Sequence, residues 1–370
     1  MAEELLSGNY TERDAVDIGI LTMELTLGIT GILGNLLVCV TIFGAKFLHS
    51  KTNYFITSLA VADLLVSLLA VIFNNDVMIS IKRYLPENQI SREIYCRFIV
   101  NKYIFWACAL ASTYNLVGVT LERFIAIAHP FKYSTFYTKR RLNLMFTVAW
   151  TSAIFVKSYL VCFTYYDDAQ GICVYDFASE PLEIIVGIWA LLMTYIIPLT
   201  LLVLMYLRII LLLRKTETNR SHVTRGKGND ISSAKRKLVK ILLAVSILYA
   251  IFWTPAELIF LAAHFDIHLT GANATLKRIF FVFPLANSIV NPVIYCFKYK
   301  QFRKGVVLVF CRAKRKRKID FNKNTRSRSR EQRGACTLVG CHNLGYDCNA
   351  NSHDLNQVIA KQTPPVTTGE

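Results

Sequence analysis

The sequence predicts an all-α membrane protein: a seven-transmembrane helix bundle with a short amphipathic eighth helix. Three observations carry that prediction. Hydrophobic residues make up 54% of the 370-residue chain, charged residues only 18%, and the mean hydropathy is +0.38, too apolar for a soluble domain of this length. Seven runs are each long and apolar enough to cross roughly 30 Å of hydrocarbon. Basic residues concentrate in alternate connections between those runs.

The runs, numbered as spans 1 to 7, are Ile18–Phe43, Tyr54–Ile79, Ile94–Ile127, Leu142–Phe163, Ile184–Leu213, Leu238–His264 and Ile279–Phe297. They divide the chain into an N-terminus (1–17), a bundle with its eighth helix (18–311) and a polar, basic, disordered tail (312–370). Met1–Asp17 is acidic and has neither the basic start nor the small-residue cleavage site of a secretory signal, so span 1 reads as an uncleaved signal anchor.

The net charge of +17 is unevenly spread. Connections after spans 1, 3, 5 and 7 carry Lys46, Lys51, Lys132, Lys139, Arg140, Arg141, Arg214, Lys215, Arg225, Lys227 and Lys235 to Lys237, and the tail adds Arg312 and Lys314 to Lys318. The other side is mixed or acidic, with Glu3, Glu4, Asp167, Asp168, Asp176 and Glu180. Positive-inside counting then places the N-terminus outside and the C-terminus inside the plasma membrane. Beside a bilayer, the basic tail reads as attraction to anionic lipid, about 1 kcal/mol per basic residue, and not as nucleic-acid binding. Asn9 and Asn273 head glycosylation sequons on the predicted outer side. Cys96 and Cys173 fall on that same side, where disulfides persist.

Polar groups inside the spans suggest a mechanism. Gly34-Asn35 interrupts span 1, Asp63 lies in span 2, Ser112 and Asn115 in span 3, and Asn287, Ser288 and Asn291 in span 7. A mid-membrane carboxylate costs roughly 2.5–3.5 kcal/mol on insertion scales, so Asp63 needs partners. A lone Ser or Asn is ordinary inter-helix glue, but together these groups can form one hydrated cluster with Na⁺ or a proton as counter-charge. Pro198, Pro255 and Pro292 each remove a backbone bond and permit a bend in spans 5, 6 and 7. Trp253 sits two residues before the span 6 proline. Adjacent Glu122 and Arg123 end span 3, where Arg offers a rigid fork of donors able to change partners. After Tyr295, the stretch Phe297–Cys311 puts Phe and Val on one face and Lys and Arg on the other, as an interfacial helix does, and Cys311 at its end is a palmitoylation candidate.

Taken together, residues 18–311 resemble the rhodopsin-like (class A) G-protein-coupled receptors, of a neuropeptide-receptor-like or orphan kind. The resemblance rests on Gly34-Asn35, Asp63 in LAVADLL, Glu122-Arg123-Phe124, Trp150, Pro198 with Tyr206, Phe252-Trp253-Thr254-Pro255 and Asn291-Pro292-Val293-Ile294-Tyr295, in order and on the corresponding spans. It implies that an agonist bound from outside moves span 6 outward, so that Arg123 and Tyr206 help receive a heterotrimeric G protein, with Glu122, Trp253, Pro255, Asn291, Pro292 and Tyr295 in the switch. It also implies a Na⁺ pocket at Asp63, Ser112, Asn287, Ser288 and Asn291, a Cys96–Cys173 disulfide over span 3, and arrestin binding after tail phosphorylation.

The chain departs from that pattern in places. Cys96 lies 27 residues before Arg123, two more than the usual family spacing, which points to a bulge or a longer span 3. The start of span 6, Ala234 to Leu238, has no acid to hold Arg123, so the resting state is expected to rely on Glu122 alone. No acid occurs between Arg97 and Leu121 to serve an amine, and Leu285 stands where an opsin carries its Schiff-base lysine. The acidic outer loops favour a cationic peptide, with Arg or an amidated end, over a lipid or other small molecule. Pocket candidates are Asp76, Asn101, Lys102, Phe105, Trp106, Glu257, Phe260, His264 and Phe281. A transporter is a weaker alternative, because its paired broken helices lack a match in the first half of the chain. Nucleophile–base pairs and metal clusters of an enzyme are not evident, and no cofactor beyond Na⁺ is expected.

Overall fold

The computed structural model describes the backbone of residues 2–73, 88–220, 229–264 and 272–311, with side chains over 18–73, 88–214, 237, 239–262 and 282–311. Helices, some long and some of one or two turns, follow one another. They are α1 (Ala2–Gly44), α2 (Lys51–Ile72), α3 (Gln89–Ile94), α4 (Tyr103–Ala128), α5 (Pro130–Phe136), α6 (Lys139–Lys157) and the single turn α7 (Tyr159–Cys162). Then come α8 (Glu180–Leu191), α9 (Ile197–Arg220), α10 (Asn229–His264) and α11 (Ala272–Lys298), and residues 300–311 form α12. Met1–Val307 is one compact unit; of the second, Leu308–Glu370, only residues 308–311 are described.

Six helical segments among the described residues are long and apolar enough to cross a membrane: Ile18–Gly44, Lys51–Ile72, Gln89–Ala128, Lys139–Cys162, Glu180–Arg214 and Val239–Ala262. The 27-residue α11, about 40 Å long at 1.5 Å per residue, corresponds to span 7. Polarity is inverted relative to a water-soluble fold. Asn35, Asp63, Asn115 and Glu122 are fully buried, while Phe43, Phe155 and Leu204 lie open on the outer face. Helix α1 packs on α2 and α11, α2 on α4, and α4 on α6 and α9.

The helix starts follow local chemistry. Ser50 and Thr138 cap α2 and α6 by accepting the backbone N–H groups of Asn53 (3.2 Å) and Arg141 (3.4 Å). The helical backbone of α1 begins well before the apolar run; its first turns are polar, so hydropathy does not reveal them.

Two π turns, Tyr95–Val100 and Leu192–Ile196, widen the third and fifth spans. The first precedes Lys102, which has a left-handed backbone (φ 51°), and the long Cys96–Arg123 spacing is accommodated in this distorted stretch. The second precedes Pro198, whose ring cannot donate to the carbonyl of Thr194 and would collide with it in a regular α-turn. All-α is corrected in one place. Thr164–Asp167 (β1) and Ile172–Tyr175 (β2) pair as an antiparallel hairpin, with Tyr166 opposite Cys173. The run is too short to give a period, and Gly171 at φ 67° makes the turn.

Candidate functional site

Backbone defects made by proline are repaired by neighbouring helices. Pro292 leaves the Ser288 carbonyl without its helical donor, and Asn35 Nδ2 of α1 donates to it at 2.8 Å and to the Gly31 carbonyl at 3.0 Å. Gly34 makes room for the approach: a Cβ there would lie 2.8 Å from Pro292 Cγ. Pro198 frees the Thr194 carbonyl in the same way, and the Tyr249 hydroxyl of α10 donates to it at 3.3 Å. The adjacent Met193 carbonyl accepts from Tyr114 of α4 at 3.1 Å.

The mid-membrane cluster centres on Asp63. Its Oδ1 accepts from Ser112 Oγ (2.7 Å) and Ser288 Oγ (3.1 Å), and its Oδ2 from Asn291 Nδ2 (2.7 Å). Asn287 is buried beside Ser288, but no hydrogen bond joins it to Asp63. The carboxylate, two hydroxyl oxygens and Asn291 Oδ1, which is buried without a hydrogen-bond partner among the described residues, form an oxygen set that suits a hard cation. These residues fit the Na⁺ ion that the resemblance implies, and such an ion would neutralise the one carboxylate among them.

Near the C-terminal end of α4, Glu122 is fully buried and serves as a shared acceptor. Arg123 donates to both its oxygens, Nε at 2.6 Å and Nη2 at 2.5 Å. Thr52 Oγ1 of α2 donates to it at 2.9 Å and in turn accepts from Arg123 Nη2. The Tyr133 hydroxyl of α5 also donates to Glu122. Burial, and then the Glu122 carboxylate, push the Tyr133 phenol well above its ordinary pKa, so it stays protonated as a donor. The expectation that Glu122 alone holds Arg123 is therefore corrected: Thr52 and Tyr133 complete the arrangement. Neither carries a distinctive sequence signal. Tyr206 is buried with its hydroxyl 3.2 Å from Thr120 Oγ1. Tyr295 is buried against Phe302 (ring centroids 6.3 Å apart), and its hydroxyl has no partner among the described residues.

Beside Trp253 lies a cavity of about 110 Å³, lined by Trp106, Lys157, Tyr159, Trp253, Glu257 and Phe260 among others. Trp253 meets Trp106 and Tyr249 at centroid distances of 6.4 and 6.0 Å, and its Nε1 is another buried donor without a partner among the described residues. Of the sequence candidates, Trp106, Glu257 and Phe260 line this cavity. Phe105 is buried edge-on to Trp106, and Asn101 donates to the Leu160 carbonyl (2.5 Å) and to Thr164, so neither is part of the lining. Lys102 stands at the left-handed break before α4 and does not line it either. Asp76 and the side chains of His264 and Phe281 fall outside the described residues, as do those of Asn9 and Asn273. Lys157 was absent from the candidates, because a lysine in the last turn of a membrane helix reads as a snorkelling cation.

The β1–β2 hairpin is tied to the top of the third span by the Cys96–Cys173 disulfide, with Cα atoms 5.4 Å apart. Glu93 reinforces the junction, accepting from Arg97 (2.8 Å) and from the Tyr166 backbone N–H (3.3 Å). Cys311 is exposed at the end of α12.

Comparison with known proteins accords with this arrangement. The mouse (Mus musculus) galanin receptor type 2 is 27% identical over 344 residues, covering 91% of this chain and 85% of the relative. The Bombyx mori allatostatin-A receptor is 27% identical over 291 residues (75% of each chain). The Gq-coupled rhodopsin of Mizuhopecten yessoensis is 25% identical over 310 residues, 80% of this chain and 60% of that one. The family described as "7 transmembrane receptor (rhodopsin family)" matches residues 34–295, from the glycine that admits Pro292 to the buried Tyr295. The chain therefore belongs to the rhodopsin family of seven-transmembrane receptors, a family of receptors and not of enzymes.

Proposed function

We propose that this receptor is activated by an extracellular peptide and signals through a heterotrimeric G protein by outward movement of α10. Trp253 carries the reading. It borders the outer cavity and lies two residues before Pro255, on the helix that continues toward the G-protein side. A ligand entering the cavity meets Trp253 directly, and a change of bend at Pro255 displaces the inner half of α10. The donors of Trp253 and Tyr295, each without a partner among the described residues, each cost about 1–3 kcal/mol, a penalty that rearrangement or hydration relieves. Thr52, Glu122, Arg123 and Tyr133 form the resting lock, and Asp63, Ser112, Asn287, Ser288 and Asn291 the Na⁺ pocket. Similarity to proteins named as a tachykinin-like peptides receptor and a neuropeptide FF receptor favours a peptide, while the Mizuhopecten yessoensis relative is named as a rhodopsin. Light sensing is disfavoured by the buried, apolar Leu285 at the expected Schiff-base position.

In this reading the N-terminus is outside the plasma membrane and the tail inside. Helix α12 lies along the inner leaflet with Cys311 acylated, Asn9 and Asn273 are glycosylated, and arrestin binds the phosphorylated tail. The test is a peptide-library screen of cells expressing the full chain with a promiscuous Gα subunit. Peptide-dependent nucleotide exchange supports the proposal; a response confined to lipids or illumination overturns the peptide assignment.

A further inference from the structure

The cavity is lined by two ionisable side chains of opposite sign, Lys157 and Glu257, and among the described residues neither touches a counter-ion. Lys157 ends α6 and is 5% exposed; Glu257 lies mid-way along the outer half of α10 and is 7% exposed. Among the described residues, no ion pair within 4.0 Å involves either one. The Lys157 ammonium stands 5.8 Å from the Trp106 ring centroid and 5.9 Å from that of Tyr159. Cation–π attraction offsets only part of an ammonium's lost hydration. Glu257 accepts one hydrogen bond, from Thr194 Oγ1 at 3.1 Å, whereas a carboxylate has about four acceptor sites. Both groups line the same cavity.

Burying two ions without direct pairing is costly, so the arrangement gains most from a guest that meets both. A cationic guest would pair with Glu257 and be repelled by Lys157. An anionic guest would meet the reverse, and an apolar one would strand both charges. We propose that this cavity binds a compact zwitterionic group, its carboxylate on Lys157, its ammonium or guanidinium on Glu257, and its hydrocarbon against Trp106, Trp253 and Phe260. This rests on the receptor reading above and specifies its ligand. At about 110 Å³ the cavity is far smaller than the roughly 300–1,000 Å³ of pockets that engulf drug-sized ligands, so it seats one residue-sized group. A free amino acid presents that chemistry. So does the end of a peptide: an N-terminal Asp or Glu, or a C-terminal Arg or Lys with a free carboxylate. An amidated end, favoured by the acidic loops alone, leaves Lys157 unmet.

The test uses the purified full-length receptor and thermal stability as the binding readout. The first arm supplies ω-amino acids of graded length, from glycine to 6-aminohexanoate, beside the alkylamine and carboxylic acid of each length. The second supplies tetrapeptides ending in Arg or beginning with Asp, each with its amidated or acetylated counterpart. At least one zwitterion is expected to stabilise the receptor with an affinity ten or more times that of its singly charged analogues. Lys157→Gln and Glu257→Gln should each abolish that preference. The exchange Lys157→Glu with Glu257→Lys keeps the cavity neutral, guards against misfolding of the single variants, and should restore binding with the guest reversed. Stabilisation only by peptide ends, or only by free amino acids, identifies the source. Equal binding of singly charged analogues, no binding in either arm, or a preference unchanged in both Gln variants overturns the proposal. A peptide from the library screen that activates wild type and both Gln variants equally sinks this inference while leaving the peptide-receptor reading intact.

Discussion

Replacing Glu122 with Gln should raise agonist-free signalling, and the structure sets the size of the effect. The fully buried carboxylate accepts two bonds from Arg123, at 2.6 and 2.5 Å, one from Thr52 at 2.9 Å and one from Tyr133. Gln keeps one acceptor oxygen but turns the other into an NH₂ that faces donors, and it removes the charge from every bond. A charge-assisted hydrogen bond contributes about 1.5–3 kcal/mol. The Arg123 side chain is 14% exposed and recovers some hydration, so the net loss is taken as one such bond and not two. At 1.36 kcal/mol per decade this shifts the resting-to-active equilibrium about 10- to 100-fold. An active state near 1% of the resting ensemble would rise to roughly 10–50%. The assay is nucleotide exchange on a G protein without agonist, in membranes matched for receptor number. Thr52→Val and Tyr133→Phe each remove one donor to the carboxylate while leaving its charge and both Arg123 bonds in place, so each should raise the baseline, but by less than the Gln variant does. An unchanged baseline in the Gln variant at normal surface expression would refute the lock, as would either milder substitution exceeding it.

Three further outcomes are expected. Asp63→Asn removes the carboxylate of the oxygen cluster, so the extra thermal stability of wild type in sodium chloride over choline chloride at equal ionic strength should vanish; a persisting sodium effect places the ion elsewhere. Asn35→Ala strips the donor from the Ser288 carbonyl and should cost about 1–3 kcal/mol, read as a lower midpoint of thermal inactivation, while an unaltered midpoint would show that another group satisfies that oxygen. Cys173→Ser opens a loop of sequence separation 77, worth about 4.5 kcal/mol in chain entropy, and should lower surface expression and loosen the hairpin to proteolysis; wild-type levels on both counts would count against a structural role.

Span number and order were legible because a bilayer demands long apolar runs, and few other folds supply seven of them. The polar residues of the Asp63 cluster were legible because each is an exception inside such a run. What escaped notice lay where composition is ordinary. Thr52 and Tyr133 are common residues beside a membrane edge, and only the packing of α2 and α5 onto α4 turns them toward Glu122. Lys157 could have pointed to water, and tertiary packing decides that it points inward. The π turn at Leu192–Ile196 had a partial signal in Pro198, whereas the tyrosines that use its carbonyls are distant in sequence.

Asn35 and Tyr249 act as surrogate amides, standing in for the N–H that proline lacks. An amide N–H is fixed in its peptide plane, but a side-chain donor lets go by a single rotamer change. The seams at Ser288 and Thr194 can therefore open and reclose without unwinding a turn of either helix. Thr194 adds a second latch at the same residue, since its hydroxyl holds Glu257 while its carbonyl holds Tyr249. One threonine thus joins the wall of the cavity beside Trp253 to the middle of α10, and the two proline defects are closed by clasps on neighbouring helices.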